Sequence, residues 1–183
     1  HPADWVLYGA CTPYATKLAS SSRDKTSKVC DAGTGESLVT FNGHGEPLFG
    51  VDVSPDGNQV ITGGRDKQIR VWNVADAKQV RAIGGFGDEV FRITVTDDGQ
   101  IFSCRADTTA RQHDLADGKA VRVYSGHADW VYSLAVHPAS KRLATGSYNG
   151  EVRLWNLEDG SGVLSFTAAP GAQSADVTAS VAP

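Results

Sequence analysis

The chain has 183 residues and a mass of 19.3 kDa, enough for one domain with a sizeable core. Hydrophobic residues make up 40% and charged residues 21%, which excludes a disordered chain, and no apolar run approaches the roughly 18 residues of a spanning helix. Seventeen basic against 21 acidic side chains leave a net charge of −4, which excludes the basic field of a general nucleic-acid binder or of a protein that coats anionic membranes.

In chain order, the same landmarks return four times. The first copy holds His1, Val6, Cys11, Thr12-Pro13, Leu18-Ala19-Ser20, Asp24 and Val29-Cys30-Asp31. The second reads Gly43-His44, an apolar run at 48–53, Ser54-Pro55-Asp56-Gly57, Val60-Ile61-Thr62, Asp66 and Val71-Trp72-Asn73. The third reads Gly85-Phe86, a run at 90–95, Asp98-Gly99, Ile101-Phe102-Ser103, Asp107 and His113-Asp114. The fourth reads Gly126-His127, a run at 131–136, His137-Pro138, Leu143-Ala144-Thr145, Asn149 and Leu154-Trp155-Asn156. His44 to Trp72 is 28 residues, as is His127 to Trp155, and the two segments lie 83 residues apart. Ser20 to Asp24, Thr62 to Asp66, Ser103 to Asp107 and Thr145 to Asn149 each span four residues, and six more reach Cys30, Trp72, His113 and Trp155.

In the second copy, turn residues cut the period into four β-rich runs, predicted at 48–53, 58–63, 68–73 and 78–83. Ser54-Pro55-Asp56-Gly57 is a turn, with Pro setting φ and Gly taking a positive φ. Asp66-Lys67 and Ala75-Asp76-Ala77 are the next two, the last echoed at 32–35, 115–118 and 158–160. Each period is therefore a four-stranded antiparallel meander. A sheet of this size cannot bury its own faces, so the sheets must stack, and radial stacking around a channel makes a propeller. Residues 51–53 and 131–136 are rich in small and β-branched side chains, which predicts inner strands packed on both sides.

The Gly-His dipeptides, the Ser/Thr-x-x-x-Asp spacing and the closing Trp-Asn pairs resemble WD40-repeat proteins over residues 1 to about 167. The resemblance implies an all-β WD40 β-propeller segment of four consecutive four-stranded antiparallel blades. These lie at 1–41, 42–83, 84–124 and 125–167, the first and third eroded, followed by a flexible Ala/Ser/Pro tail at 168–183. In that family the His, Ser/Thr, Asp and Trp form a buried hydrogen-bonded tetrad within each blade. Carried over, the tetrad is His44, Thr62, Asp66 and Trp72 in the second blade and His127, Thr145, Asn149 and Trp155 in the fourth. His1 takes the His place in the first, where Cys30 replaces the Trp; the third has Phe86 for the His and His113 for the Trp. A nucleophile triad of His44, Thr62 and Asp66 is the competing reading, set aside because an active site does not occur once per repeat.

Three cysteines, at 11, 30 and 104, lack C-x-x-C and C-x-x-C-H spacing, so neither a zinc site nor haem attachment is expected. The repeat places Cys11 on an innermost strand and Cys30 on the third strand of the same blade, roughly 9.5 Å away and beyond disulfide reach. Three free thiols are expected, two of them buried, which leans towards a reducing compartment. No pair of histidines has ligand spacing and no glycine-rich loop precedes a helix, so no metal or other cofactor is expected.

The leading expectation is a non-catalytic scaffold that binds a protein or peptide on its top face or rim, with no nucleic acid and no membrane. By the resemblance, contacts come from the residue before each turn Asp and from those before each first strand. Here these are Arg23, Arg65, Ala106 and Tyr148, with Trp5, Pro47, Glu89 and Trp130. Trp5, Trp130 and Tyr148 are the expected anchors, because aromatic and Arg side chains dominate interface energetics. The sequence contains no Met and opens on the His of a Gly-His-like motif, so further blades upstream and a C-terminal place in a longer propeller are expected. The alternative is two copies paired into an eight-bladed ring, and a closed four-bladed ring is least favoured. The repeats also look like bacterial WD40 proteins, some of which carry an exported c-type cytochrome upstream. That likeness implies a second function, an accessory propeller of an exported redox or hydrolytic enzyme whose active site lies elsewhere, and a periplasmic rather than cytoplasmic location.

Overall fold

The computed structural model describes residues 5–12 and 15–168; the expectations for His1, Pro13 and the tail beyond residue 168 lie outside the described residues. Among the described residues sixteen strands form four sheets, each an antiparallel meander in chain order. The first contains β1 (Val6–Cys11), β2 (Lys17–Ser22), β3 (Thr26–Asp31) and β4 (Ser37–Asn42). The second contains β5 (Leu48–Val53), β6 (Gln59–Gly64), β7 (Ile69–Asn73) and β8 (Gln79–Ile83). The third contains β9 (Val90–Val95), β10 (Gln100–Arg105), β11 (Thr109–Asp114) and β12 (Ala120–Ser125). The fourth contains β13 (Val131–His137), β14 (Arg142–Ser147), β15 (Glu151–Asn156) and β16 (Gly162–Thr167). In the second sheet the last three strands start one residue later than predicted, because Asn58, Gln68 and Lys78 still belong to the turns.

Turn chemistry sets the strand ends. At the lower end of the second sheet, the Gly57 N–H donates to the Ser54 carbonyl at 2.8 Å with Gly57 at φ 71°, the conformation glycine adopts freely. At the upper end, the second and third strands of each sheet are joined through a left-handed residue: Lys25, Lys67, Thr108 or Gly150.

The sheets stack through three apolar cores, one per junction. Ala19, Val29 and Phe41 of the first sheet meet Val51, Val53, Val60 and Trp72 of the second. Ile61, Ile69 and Val71 of the second meet Val90, Ile93 and Ile101 of the third. Phe102, Cys104 and Tyr124 of the third meet Val131, Leu134 and Leu143 of the fourth. The stack curves about an axis lined by the first strands. Arg92 of β9 hydrogen-bonds the Tyr8 hydroxyl of β1 and lies over its ring at 4.5 Å, so the first sheet touches the third across that axis. Asp52 of β5 accepts the Val95 N–H of β9 at 2.8 Å. At the outer rim, Arg81 of β8 donates to the Leu115 and Ala116 carbonyls of the third sheet, and Arg122 of β12 donates to the Leu157 carbonyl of the fourth.

Two expectations need correction. β5 is packed on both sides, as predicted, but in β13 only Val131 and Leu134 are buried. Tyr132, Ser133 and Ala135 face outward because no sheet covers that side of the fourth. The three thiols are free, but only Cys104 is buried; Cys11 is exposed and Cys30 half-buried, because both belong to the first sheet, whose outer side is likewise uncovered.

Candidate functional site

The predicted polar tetrad of the second sheet is assembled. Strand pairing sets Thr62 of β6 near Trp72 of β7, and His44 reaches them from the loop after β4. The Trp72 indole N–H donates to Thr62 Oγ1 at 2.8 Å, His44 Nε2 is 2.8 Å from the same hydroxyl, and His44 Nδ1 is 2.8 Å from Asp66 Oδ2. The indole only donates and the carboxylate only accepts. With a neutral imidazole the order is therefore fixed: indole to hydroxyl, hydroxyl to Nε2, Nδ1–H to carboxylate. Burial works against the Asp66 charge, but the His44 hydrogen bond and the Arg70 charge outweigh it and hold the carboxyl below its ordinary range. Gly43 is required beside this lock, since a Cβ there would stand 2.6 Å from the Trp72 ring.

The fourth sheet repeats the lock with one change. Trp155 donates to Thr145 Oγ1 at 2.8 Å and His127 Nε2 is 2.7 Å from that hydroxyl, but His127 Nδ1 meets Glu151 Oε2 at 2.9 Å, not Asn149. Asn149 instead accepts the Glu151 N–H at 3.0 Å and closes the turn. The physical reason is a division of labour. Asp66 offers two acceptor oxygens and does both jobs, taking the Gln68 N–H at 3.3 Å on one and His44 on the other. Asn149 has one acceptor oxygen, spent on the turn, so the carboxylate comes from Glu151 two residues on. Arg153 follows it, 2.7 Å from Glu151 Oε1, where Arg70 is paired with Asp66. A Glu at the second residue after the Asn is the signal that sequence reasoning passed over. Burial pulls His127 below its ordinary value despite the Glu151 carboxylate.

The third sheet holds a different arrangement, also missed in the sequence. Arg105, fully buried at the end of β10, lies over the Phe86 ring at 3.3 Å and donates to Ser103 Oγ at 3.1 Å. Phe86 packs edge-on to His113 at 5.5 Å. Arg105 Nε and Nη1 and His113 Nδ1 have no hydrogen-bond partner. Burial and the Arg111 charge pull the Arg105 guanidinium down to about 9, and burial with both arginines pulls His113 down to about 4. A charged residue on an otherwise small or apolar inner strand is the signal that marks it. In the first sheet Ser20 Oγ donates to the Lys28 carbonyl at 3.4 Å, and Asp24 accepts the Thr26 N–H and closes its turn.

The eight upper-face residues fall into four pairs. The N–H groups of Arg23, Arg65, Ala106 and Tyr148 donate to the carbonyls of Trp5, Pro47, Glu89 and Trp130 at 2.9–3.1 Å. Arg23 lies over the Trp5 ring at 5.3 Å, and Arg65 of the second sheet pairs with Glu89 before the third at 2.9 Å. Trp130 lies 6.4 Å from Tyr148, and both lie about 6 Å from Tyr132, itself stacked on Phe91 at 4.3 Å. Tyr132 and Phe91 were not singled out in the sequence; the former raises the exposed aromatic group at this end to three. Among the described residues no group of three or more His, Cys, Asp or Glu is placed to hold a metal ion.

A 43-residue stretch of the chain is 46% identical to the WD40 repeat-containing protein HOS15 of Arabidopsis thaliana; it is 24% of this chain and 7% of that protein. Residues 35–73 and 118–156 match the family model described as WD domain, G-beta repeat. Each match runs from the outermost strand of one sheet through the first three of the next, β4 to β7 and β12 to β15, and so contains one whole polar lock. With these locks inside four stacked antiparallel sheets, residues 35–73 and 118–156 are similar to WD40 repeats in sequence and in strand arrangement.

Proposed function

We propose that the chain is a non-catalytic WD40 scaffold that binds a protein or peptide partner on its upper face. WD40 repeats typically mediate protein–protein interaction. The observation that carries the reading is the aromatic group at the upper end of the fourth sheet: Trp130, Tyr132 and Tyr148 are 47%, 40% and 73% exposed. Rings of this size held in contact and open to solvent supply large apolar area at little entropic cost. The Arg65–Glu89 pair and Arg23 over Trp5 add charged groups on the same face. The polar locks are buried and hold the second and fourth sheets together, which leaves the face free to vary. Further blades, of a longer chain or a second copy, complete the propeller in this reading.

The test is selection of random displayed peptides on the immobilised chain, followed by affinity measurement on variants. Selected peptides should lose about tenfold or more in affinity, about 1.4 kcal/mol, with Trp130→Ala or Tyr148→Ala, while the thermal melt stays unchanged. Peptides that bind both variants as tightly as the wild type would place recognition elsewhere.

A further inference from the structure

Two of the three internal junctions are tied at their upper ends by a lysine, in one repeated geometry. The left-handed residue that joins the second and third strands of a sheet reaches the loop that opens the next sheet. Lys25, at φ 72°, donates from Nζ to the Gly45 carbonyl at 2.7 Å. Lys67, at φ 62°, donates to the Gly87 carbonyl at 3.0 Å and stands 3.7 Å from Asp88 Oδ1. Two residues before it, Arg65 adds a second cation, 2.9 Å from Glu89.

The junction between the third and fourth sheets has the acceptors of this tie without its cations. Thr108, at φ 65°, holds the place of Lys67, and Ala106 that of Arg65; neither side chain carries a charge or is long enough to cross. On the far side, Ala128 and Asp129 hold the places of Gly87 and Asp88. The match extends to local bonding: Asp129 Oδ1 accepts the Trp130 N–H at 2.8 Å, as Asp88 Oδ1 accepts the Glu89 N–H at 3.0 Å. Asp129 is half-buried, and among the described residues no basic side chain pairs with it. A partly desolvated carboxylate without a counter-charge attracts a cation more strongly than one free in water. At the place of Glu89 stands Trp130, which leans back on Phe91 of the third sheet at 6.2 Å, so an exposed indole, itself favourable to a cation, borders the carboxylate. The junction lies inside the stack, between two described sheets.

We propose that the peptide partner completes this junction with a lysine or arginine side chain. Its head group donates to the Ala128 carbonyl and the Asp129 carboxylate beside the Trp130 ring, as the Lys67 ammonium donates to the Gly87 carbonyl and pairs with Asp88. Thr108 and Ala106 leave the room that Lys67 and Arg65 fill one junction earlier. The inference rests on the proposed binding role and adds the chemistry of the partner to it. The exposed aromatic rings alone ask only for apolar surface, whereas Asp129 asks for a basic residue next to it.

The test uses the peptides selected on the immobilised chain, resynthesised with each Lys or Arg in turn replaced by norleucine. On the wild type, one such replacement should lower affinity about tenfold or more. Asp129→Asn keeps the oxygen that accepts the Trp130 N–H and removes the charge. It should weaken the basic peptide about tenfold and leave its norleucine form unchanged. Thr108→Lys restores in cis the side chain that the partner supplies, on a backbone conformation that lysine already adopts at positions 25 and 67. It should weaken the same basic peptide about tenfold without lowering the melting temperature, and if it does not fold, Asp129→Asn decides alone. Peptides that depend on Trp130 yet tolerate every norleucine replacement and Asp129→Asn overturn the inference and leave the binding face standing. Peptides that need their basic residue and Asp129, but bind Trp130→Ala and Tyr148→Ala as tightly as the wild type, uphold the junction site and overturn the aromatic anchors. A selection that recovers no peptide overturns both.

Discussion

Glu151 stands 2.9 Å from His127 and gives the fourth sheet the carboxylate that Asp66 gives the second. Glu151→Ala orphans a buried imidazole N–H and should lower stability by about 1–3 kcal/mol. Asn149→Asp keeps the acceptor that closes the turn and should shift stability by no more than about 0.5 kcal/mol. Urea unfolding of both variants checks the order; a larger loss from Asn149→Asp would return the role to that residue.

Thr62 is the hub of its lock, since both Trp72 and His44 bond its hydroxyl. Thr62→Val preserves shape and removes the hydroxyl, leaving an indole N–H and an imidazole nitrogen without partners. The expected cost is about 2–4 kcal/mol, more than a surface threonine would show. A thermal melt within a degree of wild type would contradict it.

His113 ties stability to acidity. Burial and the charges of Arg105 and Arg111 pull it from 6.5 to about 4, so between those pH values the unfolded chain binds a proton that the folded chain does not. The stability from this group is complete above pH 6.5 and is lost as pH falls towards 4, by at most about 3 kcal/mol. His127, also held down by burial, contributes in the same direction. Urea titrations across this range should give a shallower pH slope for His113→Asn than for the wild type; equal slopes would dismiss the His113 contribution.

The thiols should react in an order set by exposure. Cys11 is open, Cys30 half-covered, and Cys104 buried with its thiol pushed up to about 12 by desolvation. Alkylation followed by mass spectrometry should mark Cys11 first, Cys30 more slowly, and Cys104 only in denaturant. Labelling of Cys104 in the native chain would show that the junction between the third and fourth sheets opens.

The strands and the second lock were legible because both follow from fixed register. Once β6 and β7 pair, a Thr and a Trp ten residues apart become diagonal neighbours on one face, and this spacing survives any change of surface residue. Legibility failed where a role can pass between positions. Asn149 occupies the expected place, yet Glu151 reaches the same imidazole with a longer side chain. It failed again where burial depends on a neighbour: Cys11 and Ala135 lie on inner strands by pattern, but the side they face is uncovered. Arg105 was passed over because nothing in the repeat reserves that position for a charge, although a charge in that strand marks it.

Arg81 and Arg122 reach from the outermost strands to backbone carbonyls of the next sheet, while Asp52 and the apolar cores join the same layers near the axis. Layers fastened at only one radius can fan open like pages. The second, third and fourth are fastened at their wide ends also, so the wedge angle between them is held against splaying, and any partner spanning those layers meets a surface whose curvature is already set.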